Sequence, residues 1–205
     1  MEKIKQELDN FFPSPKCELR FKNNFELLVS VILSAQCTDK RVNQVTEKMF
    51  QKWSTPEQFA RLDECAVERE IYSLGFYHNK AKNIIKASRD IVDRFGGEVP
   101  NSMEELCSLA GVGRKTASVI LSVGFDKPAF AVDTHVFRVA NRLGIGGKDV
   151  KECEENLRKF FPKKDWSKIH LQMVLFGRHH CKARNPNCES CTLKTKCKYY
   201  KNNNI

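Results

Sequence analysis

The chain ends in a segment with four closely spaced cysteines, and this segment constrains the fold more than any other feature. The cysteines follow the pattern Cys181-x6-Cys188-x2-Cys191-x5-Cys197. Thiolates crowded into so short a loop repel one another and have little apolar core to cover them. A metal ion or a metal cluster would hold them together. The sequence therefore predicts a loop that folds around metal rather than around apolar side chains.

The cysteine segment is also positively charged. Residues 181–205 contain six Lys or Arg residues and one Glu, and the whole chain of 205 residues has a formal net charge of +10. Such a charge favours polyanionic partners, although by itself it fits DNA, RNA and ribosomes equally. We expect Lys182 and Arg184, which lie between the first two cysteines, to contact phosphates.

The cysteine count and the N-terminal sequence indicate a reducing compartment. Nine cysteines are an odd number, and the N-terminal residues form no apolar signal segment, so we expect no disulfide framework. The most apolar stretch, residues 25–35, is too short for a membrane span, which needs ~20 residues. These features predict a cytoplasmic protein without a membrane partner.

Helical periodicity runs through nearly the whole chain, and no strand-like alternation persists. Residues 25–35 are apolar on most sides and predict a central, buried helix. Thr38 and Thr55 are typical N-cap residues and predict the starts of two further helices. Later helices are predicted at residues 81–95, 103–108, 114–123, 135–143, 150–161 and 166–179. The sequence thus predicts an all-α fold.

A glycine-rich turn precedes the predicted helix at residues 114–123. Gly111 and Gly113 permit positive φ and a close approach of another molecule to the backbone. The N–H groups at the start of the next helix suit a phosphate, which would bind without reading the base sequence. A plain turn between packed helices would also explain the glycines. Arg114 favours the phosphate, because a cation in the first helical turn otherwise opposes the helix dipole.

Lys115 follows directly and has two interpretations. It is either a second phosphate contact or a nucleophile. A lysine attacks only as the neutral amine, and a helix N-terminus with a neighbouring guanidinium favours that form.

Asp133 lies just before another predicted helix. Asp133 or Thr134 would cap that helix, but a carboxylate beside apolar residues could also act as a base and stabilise a cation that forms during a reaction. His135 is interpreted as a helix-start residue or as a contact to damaged DNA.

Together these motifs resemble the endonuclease III family of helix–hairpin–helix DNA glycosylases. The resemblance covers nearly the whole chain, in order and at similar spacing, and no single motif would be specific enough alone. The segments that resemble the family are residues 33–39, 74–81, 109–117 and 132–139 and the four-cysteine tail.

The resemblance implies two all-helical lobes with a DNA-binding cleft between them. One lobe would be a six-helix barrel at residues 22–130 that contains the helix–hairpin–helix. The other would join residues 1–21 to residues 131–205 and carry a 4Fe-4S cluster on the four cysteines, Cys181, Cys188, Cys191 and Cys197.

The resemblance also implies an activity: excision of oxidised pyrimidines by a bifunctional glycosylase and abasic-site lyase of base excision repair. Lys115 matches the family's Schiff-base lysine, and Asp133 matches its catalytic carboxylate. Gln36 and Phe76 match the residues that fill the gap left by the flipped-out nucleotide. The implied partner is double-stranded DNA with a damaged base or an abasic site, bound by a monomer associated with the bacterial nucleoid.

Several residues depart from the family pattern. Ala110 replaces a proline that is common before the hairpin glycines, and Phe76 stands where an aliphatic wedge is usual. Cys107 replaces a glutamate, which puts any shared water network around Lys115 in doubt. Cys37 replaces a small apolar residue and is expected to pack.

Three alternatives stay open at this point. One is a monofunctional mismatch glycosylase of the same superfamily, although that group usually has no lysine at the position of Lys115. Another is a non-catalytic iron–sulfur module that only binds DNA. The third concerns the metal: zinc could replace the cluster, but zinc sites more often use two Cys-x2-Cys pairs and this chain has one.

Overall fold

The computed structural model describes residues 2–203. Within this range the chain forms α-helices, two short 3-10 segments and no β-strand, which confirms the predicted all-α class. The helices, in chain order, are α1 (Glu2–Phe11), α2 (Asn24–Leu33), α3 (Asp39–Lys52), α4 (Pro56–Ala60), α5 (Glu64–Ile71), α6 (Tyr77–Phe95), α7 (Met103–Ser108), α8 (Arg114–Gly124), α9 (Thr134–Leu143), α10 (Val150–Phe160), α11 (Trp166–His179) and α12 (Lys198–Asn202).

The chain divides into two compact units. The hairpin unit is Cys17–Asp126, with α2 to α8, and the cysteine unit consists of residues up to 16 and from 127 onward, with α1 and α9 to α12. The domain boundaries predicted at residues 22 and 130 stay a prediction, because compact packing does not by itself show which segments fold independently.

Helix α2 forms the centre of the hairpin unit. Its residues are buried from Phe25 to Leu33, as the apolar sequence predicted, and it packs against α3, α6 and α8. At its N-terminal end the Phe25 ring meets the Phe59 ring edge-on, with 5.4 Å between the ring centroids. Helix α2 thus supports both α6 and α8.

The predicted N-caps are present in the hairpin unit. The Thr38 side chain accepts a hydrogen bond from the backbone N–H of Arg41 at 3.3 Å, at the start of α3. Thr55 begins α4 with a capping box, in which the Gln58 side chain accepts from the Thr55 backbone N–H. Local hydrogen bonding thus sets both helix starts.

The cysteine unit has its own apolar core, built from α1, α9, α10 and α11. Its fully buried members include Leu8, Val136, Leu157, Ile169 and Met173. The core ends at the cysteine loop. Three of the four cysteines of this loop have partly buried side chains that pack against the core.

Polar contacts hold α1 against α11. Gln172 donates one hydrogen bond to the Asp9 carboxylate at 2.8 Å and another to the Phe12 carbonyl at 2.9 Å. Lys168 forms an ion pair with Asp9 at 2.5 Å. These contacts explain how the N-terminal helix joins a unit whose other helices come from the end of the chain.

Two helices of the hairpin unit differ from the sequence prediction. Helix α6 begins at Tyr77, four residues before the predicted start at residue 81. The prediction missed this first helical turn because its buried residue is a lysine, Lys80, which interrupts the apolar pattern. Helix α5 was not predicted, since its eight residues bury only Val67 and Ile71. None of the helices within residues 2–203 is long and apolar enough to cross a membrane.

Candidate nucleic-acid interface and active site

Residues 109–113 form the turn between α7 and α8, and buried side chains anchor it. Leu109 and Val112 are 3% and 5% exposed, and the Val112 N–H donates to the Leu109 carbonyl at 3.2 Å. Gly111 has a φ of 75°, and a Cβ built there would lie 2.9 Å from the Asn83 Cβ on α6. Both the backbone conformation and the close packing therefore require glycine at residue 111.

Gly113 plays a different part in the same turn. It is the N-cap of α8 and has an ordinary extended conformation, with a φ of −87°. A Cβ at this position would meet nothing within 4 Å, so the surface beside it is open. An approaching phosphate could reach the backbone N–H groups at the start of α8.

Arg114 and Lys115 are the first two residues of α8, and both are exposed. Their position at the N-terminal end of the helix agrees with the sequence prediction. The Lys115 side chain is accessible to solvent, and Lys115 follows the open position at Gly113 by two residues.

Gln36 and Phe76 share an unusual backbone conformation. Their φ values are 56° and 61°, and within residues 2–203 the other non-glycine residues with positive φ are Asp126 and Asn185. A bulky side chain in this left-handed region is an outlier and costs about 1–3 kcal/mol. Both side chains are exposed, Phe76 by 62%. The strained turns hold two long side chains out from the surface, where they could enter a gap in a duplex.

Asp133 is the N-cap of α9. Its Oδ1 accepts hydrogen bonds from the backbone N–H groups of His135 at 2.9 Å and of Val136 at 2.8 Å. The capping interpretation of Asp133 is therefore correct, and Thr134 is the first residue of the helix. Both bonds end on Oδ1, so the second carboxylate oxygen takes no part in the cap.

His135 lies in the first turn of α9 and is partly buried. Its Nδ1 is 3.3 Å from Arg138 Nη2, and its Cβ stands so close to Gly177 that a Cβ on that glycine would lie 2.8 Å away. The predicted contact of His135 with DNA stays a prediction.

The four cysteines line one cavity, together with apolar residues such as Phe176 and Leu193. Burial, followed by the charges of the neighbouring cysteines, raises the pKa of the Cys188 thiol. Burial likewise raises the pKa of the Cys191 thiol, and Cys181, Cys197 and Cys188 add to that effect. The sulfur atoms are thus near enough to disfavour one another's charge, which a bound cation would reverse.

The donor set of this cavity distinguishes between two kinds of metal site. All four candidate ligands are cysteines, which suit an iron–sulfur cluster. Zinc sites more often use two Cys-x2-Cys pairs, and this segment has one. Across residues 2–203, no group of three or more His, Cys, Asp or Glu side chains is already arranged to hold a metal ion.

Two arginines of α9 bind the cysteine loop, and the sequence analysis did not identify them. Arg142 donates to the carbonyls of Lys182 at 2.6 Å and Ala183 at 3.0 Å, and to Cys181 Sγ at 3.3 Å. Arg138 donates to the Cys181 carbonyl at 3.1 Å. Their spacing of four residues on a helix near a cysteine-rich tail was the signal that could have revealed them.

Lys182 and Arg184 have exposed side chains, as phosphate contacts require. The Arg142 bond to the Lys182 carbonyl fixes the backbone of this stretch while leaving the lysine amine at the surface. Lys194 is different, since its amine donates to the Glu189 carbonyl at 3.2 Å inside the loop.

The predicted site residues are divided between the two units. The hairpin unit contains Gln36, Phe76, Gly111, Gly113, Arg114 and Lys115, and the cysteine unit contains Asp133, His135, Lys182, Arg184 and the four cysteine ligands. Each unit therefore holds part of the proposed chemistry: an exposed lysine after an open hairpin in one, and a helix-capping carboxylate with a cysteine-lined cavity in the other.

Comparison with known proteins gives consistent matches. Residues 29–163 match the model of the HhH-GPD superfamily of base excision DNA repair proteins. Endonuclease III of Bacillus subtilis is 50% identical over 193 residues, which cover 93% of this chain and 88% of the relative. Endonuclease III of Escherichia coli is 44% identical over 188 residues, which cover 91% and 89%.

A solved structure of a trapped endonuclease III–DNA covalent intermediate is also similar. It superposes with a TM-score of 0.94 at 46% identity, and the match covers 100% of this chain and 98% of that one. The similarity thus extends over the whole length of both chains.

Proposed function

The chain belongs to the endonuclease III family, within the HhH-GPD superfamily of base excision DNA repair proteins, and on that premise we propose how its own residues act. It is a bifunctional DNA glycosylase and abasic-site lyase. One observation carries the assignment of residues: an exposed lysine, Lys115, follows an open glycine hairpin in a chain that superposes on an endonuclease III covalently trapped on DNA.

Lys115 is the proposed nucleophile. Its neutral amine attacks C1′ of the damaged nucleotide, the bond from C1′ to the base breaks, and the base leaves with the bonding electrons. The nitrogen then loses a proton and the sugar ring opens to give an iminium. The iminium acidifies the C2′ proton, whose removal breaks the bond from C3′ to oxygen and cleaves the strand.

Asp133 is the proposed proton acceptor. One oxygen is engaged in capping α9, which fixes the carboxylate in place, and the other can take up a proton. The negative charge also stabilises the cation that develops on the sugar as the base departs.

The proposed DNA contacts follow from exposure and backbone conformation. The open backbone at Gly113 and the Arg114 side chain bind phosphate, with Lys182 and Arg184 as further phosphate contacts in the other unit. Gln36 and Phe76 occupy the space of the extruded nucleotide. An oxidised pyrimidine is the proposed substrate, because damage weakens stacking and pairing and so lowers the cost of extrusion.

We propose a 4Fe-4S cluster held by the four cysteines of the tail. The cavity that all four cysteines line and the mutual influence of their thiols support it. When bound, the cluster supplies positive iron that gathers the thiolates and orders the loop. We propose that the protein acts as a monomer on duplex DNA in the bacterial cytoplasm, since the relatives named above are bacterial.

Borohydride trapping tests the proposed nucleophile. The protein is incubated with borohydride and a duplex that contains one abasic site, and the covalent adduct is separated by denaturing electrophoresis. We expect an adduct with the unmodified protein and with Lys86→Gln, which alters another exposed lysine of the hairpin unit, and none with Lys115→Gln. A full yield of adduct from Lys115→Gln would contradict the assignment of Lys115.

The trapping assay, combined with a base-excision assay on a duplex that carries one oxidised pyrimidine, separates the rival functions. A monofunctional glycosylase would excise a base without forming an adduct, and a non-catalytic DNA-binding module would do neither. Absence of both adduct and excision with the unmodified protein would therefore refute the enzymatic assignment.

A further inference from the structure

Lys80 is a buried lysine that the proposed chemistry does not use. It lies in α6 and is 4% exposed. Its Nζ donates to Cys37 Sγ at 3.3 Å, and within the described residues this thiol is its hydrogen-bond partner. Burying an amine is costly unless it is bonded, and the other buried residues on this side of α6 are mostly apolar, such as Ala81 and Ile84. Packing alone therefore gives no reason for a lysine at this position.

The bond connects the turn between α2 and α3 with the first turn of helix α6, which directly follows Phe76. Cys37 follows Gln36 in the turn between α2 and α3, where its N–H donates to the Ser34 carbonyl at 3.1 Å. Lys80 stands one helical turn after Phe76, and its backbone N–H donates to the Phe76 carbonyl at 3.0 Å. Each partner is thus attached by its own backbone to one of the two exposed left-handed turns.

These two turns need support from their surroundings. Left-handed conformations at Gln36 and Phe76 are strained, and such residues keep them only where the neighbouring structure over-determines them. The bond from Lys80, in the first turn of α6, to Cys37 ties the two left-handed turns together and supplies that support. It also limits how far one exposed side chain can move relative to the other.

We propose that the hydrogen bond from Lys80 to Cys37 is a positioning contact, which holds Gln36 and Phe76 in register so that both side chains enter the same gap in duplex DNA. Lys80 and Cys37 touch neither substrate nor reacting atoms; they act through the turns. The inference rests on the proposed function in one respect, namely that Gln36 and Phe76 fill the space of the extruded nucleotide.

Four variants of the full-length, metal-loaded protein test the proposal. Lys80→Met removes the amine and keeps the apolar stem, Cys37→Ala removes the acceptor, and the double variant measures their coupling. Cys37→Ser keeps a hydrogen-bond acceptor and is the conservative rescue. Lys86→Met and Cys65→Ala are matched controls, because both residues are exposed and lie in the same unit.

The first measurement needs no DNA. Amide hydrogen exchange is followed at residues 34–38 and 72–77. We expect Lys80→Met and Cys37→Ala each to speed exchange in both turns by roughly tenfold, the effect of losing one hydrogen bond to a charged group. Cys37→Ser and the two controls should leave both turns within about twofold of the unmodified protein.

The second measurement reads the consequence on DNA. Single-turnover excision is measured with duplexes that carry one oxidised thymine opposite adenine or opposite guanine, and cleavage is measured with a preformed abasic duplex. We expect Lys80→Met and Cys37→Ala to lower excision by roughly tenfold and to reduce the discrimination between opposite bases, with abasic-site cleavage changed much less. Cys37→Ser should restore both excision and discrimination.

The two sets of data keep the proposals distinguishable. Unchanged exchange in both turns with Lys80→Met or with Cys37→Ala would overturn the positioning contact whatever the enzyme does, and so would additive effects in the double variant. If Lys80→Met does not fold, Cys37→Ala and its serine rescue decide alone. Failure of the unmodified protein to form the borohydride adduct would instead overturn the proposed function and leave the exchange result to be judged by itself.

Discussion

The hairpin of residues 109–113, which is followed directly by exposed Arg114 and Lys115, and the cysteine loop of residues 181–197 are both irregular segments, but different interactions hold them. Buried Leu109 and Val112 and the contact of Gly111 with Asn83 fix the hairpin. The cysteine loop buries Leu193, and Arg138 and Arg142 donate hydrogen bonds to its backbone. Apolar packing thus builds the hairpin, whereas the loop is held by charged anchors and by the proposed metal cluster.

Removing the metal should separate the two regions most clearly. In Cys191→Ala, or after oxidation and chelation of iron, we expect the tail to lose its order while the hairpin keeps its own, because binding of a structural metal contributes on the order of 10 kcal/mol. Trypsin should then cut at Lys182 and Arg184, which mass spectrometry of the fragments would show. Cys65→Ala is the control, and an equally resistant tail in Cys191→Ala would contradict this prediction.

Truncating an apolar anchor should weaken the hairpin by a smaller amount. Leu109→Ala is expected to lower the free energy of unfolding by about 2–4 kcal/mol, the usual cost of a buried Leu→Ala change. Urea unfolding measures the loss. Cys107 is exposed and lies nearby. The free energy of unfolding of Cys107→Ala should therefore stay within about 0.5 kcal/mol of that of the unmodified protein. A loss that small in Leu109→Ala would mean that packing does not hold the turn.

Substitution of the two hairpin glycines should affect different properties, mainly stability at Gly111 and mainly duplex binding at Gly113. Gly111→Ala is expected to lower stability by about 1–3 kcal/mol, because its φ is positive and its Cβ would press on Asn83. Gly113→Ala should lower stability by less than about 1 kcal/mol, yet weaken duplex binding, since the added methyl occupies the open surface. Thermal unfolding and fluorescence anisotropy with labelled duplex measure the two effects. Equal stability losses, or unchanged binding in Gly113→Ala, would refute the division of roles.

Replacing the charged anchor of the loop should have the smallest effect. Arg142→Lys keeps the charge but loses the forked geometry that reaches the carbonyls of Lys182 and Ala183, at an expected cost of about 1 kcal/mol. The rate at which the visible absorbance of the metal-loaded protein decays in oxidant should rise. Arg158→Lys, in a surface ion pair with Glu154, is the matched control. An unchanged decay in Arg142→Lys would show that the metal alone holds the loop.

The sequence predicted those parts of the fold that local patterns determine. The buried stretch after Asn24 and the caps at Thr38 and Thr55 follow from apolar periodicity and side-chain bonds to the backbone, and the structure has both. Helix α5 was not predicted because two buried side chains are too few to define a helical period. The early start of α6 was not predicted because a lysine, Lys80, occupies a buried position there.

Prediction of the site had a similar limit. Residue type and order were enough to select Lys115 and the cysteines as candidates, and the capping role of Asp133 followed from its place before α9. The contacts of Arg138 and Arg142 with the cysteine loop, and that of Lys80 with Cys37, join residues 39 or more positions apart. Such pairs depend on how helices pack, which periodicity in one segment does not specify. The left-handed backbone at Gln36 and Phe76 has the same origin, since no local signal favours it there.

The conformation of Phe76 also affects how this protein could change. A glycine at residue 76 would adopt a φ of 61° without strain, so the aromatic ring is held there at an energetic disadvantage to the fold. Selection for thermal stability alone would favour losing the ring. A heat-resistant variant obtained without a screen on DNA is therefore most at risk of losing function at this turn, and a screen that includes a damaged duplex would preserve it.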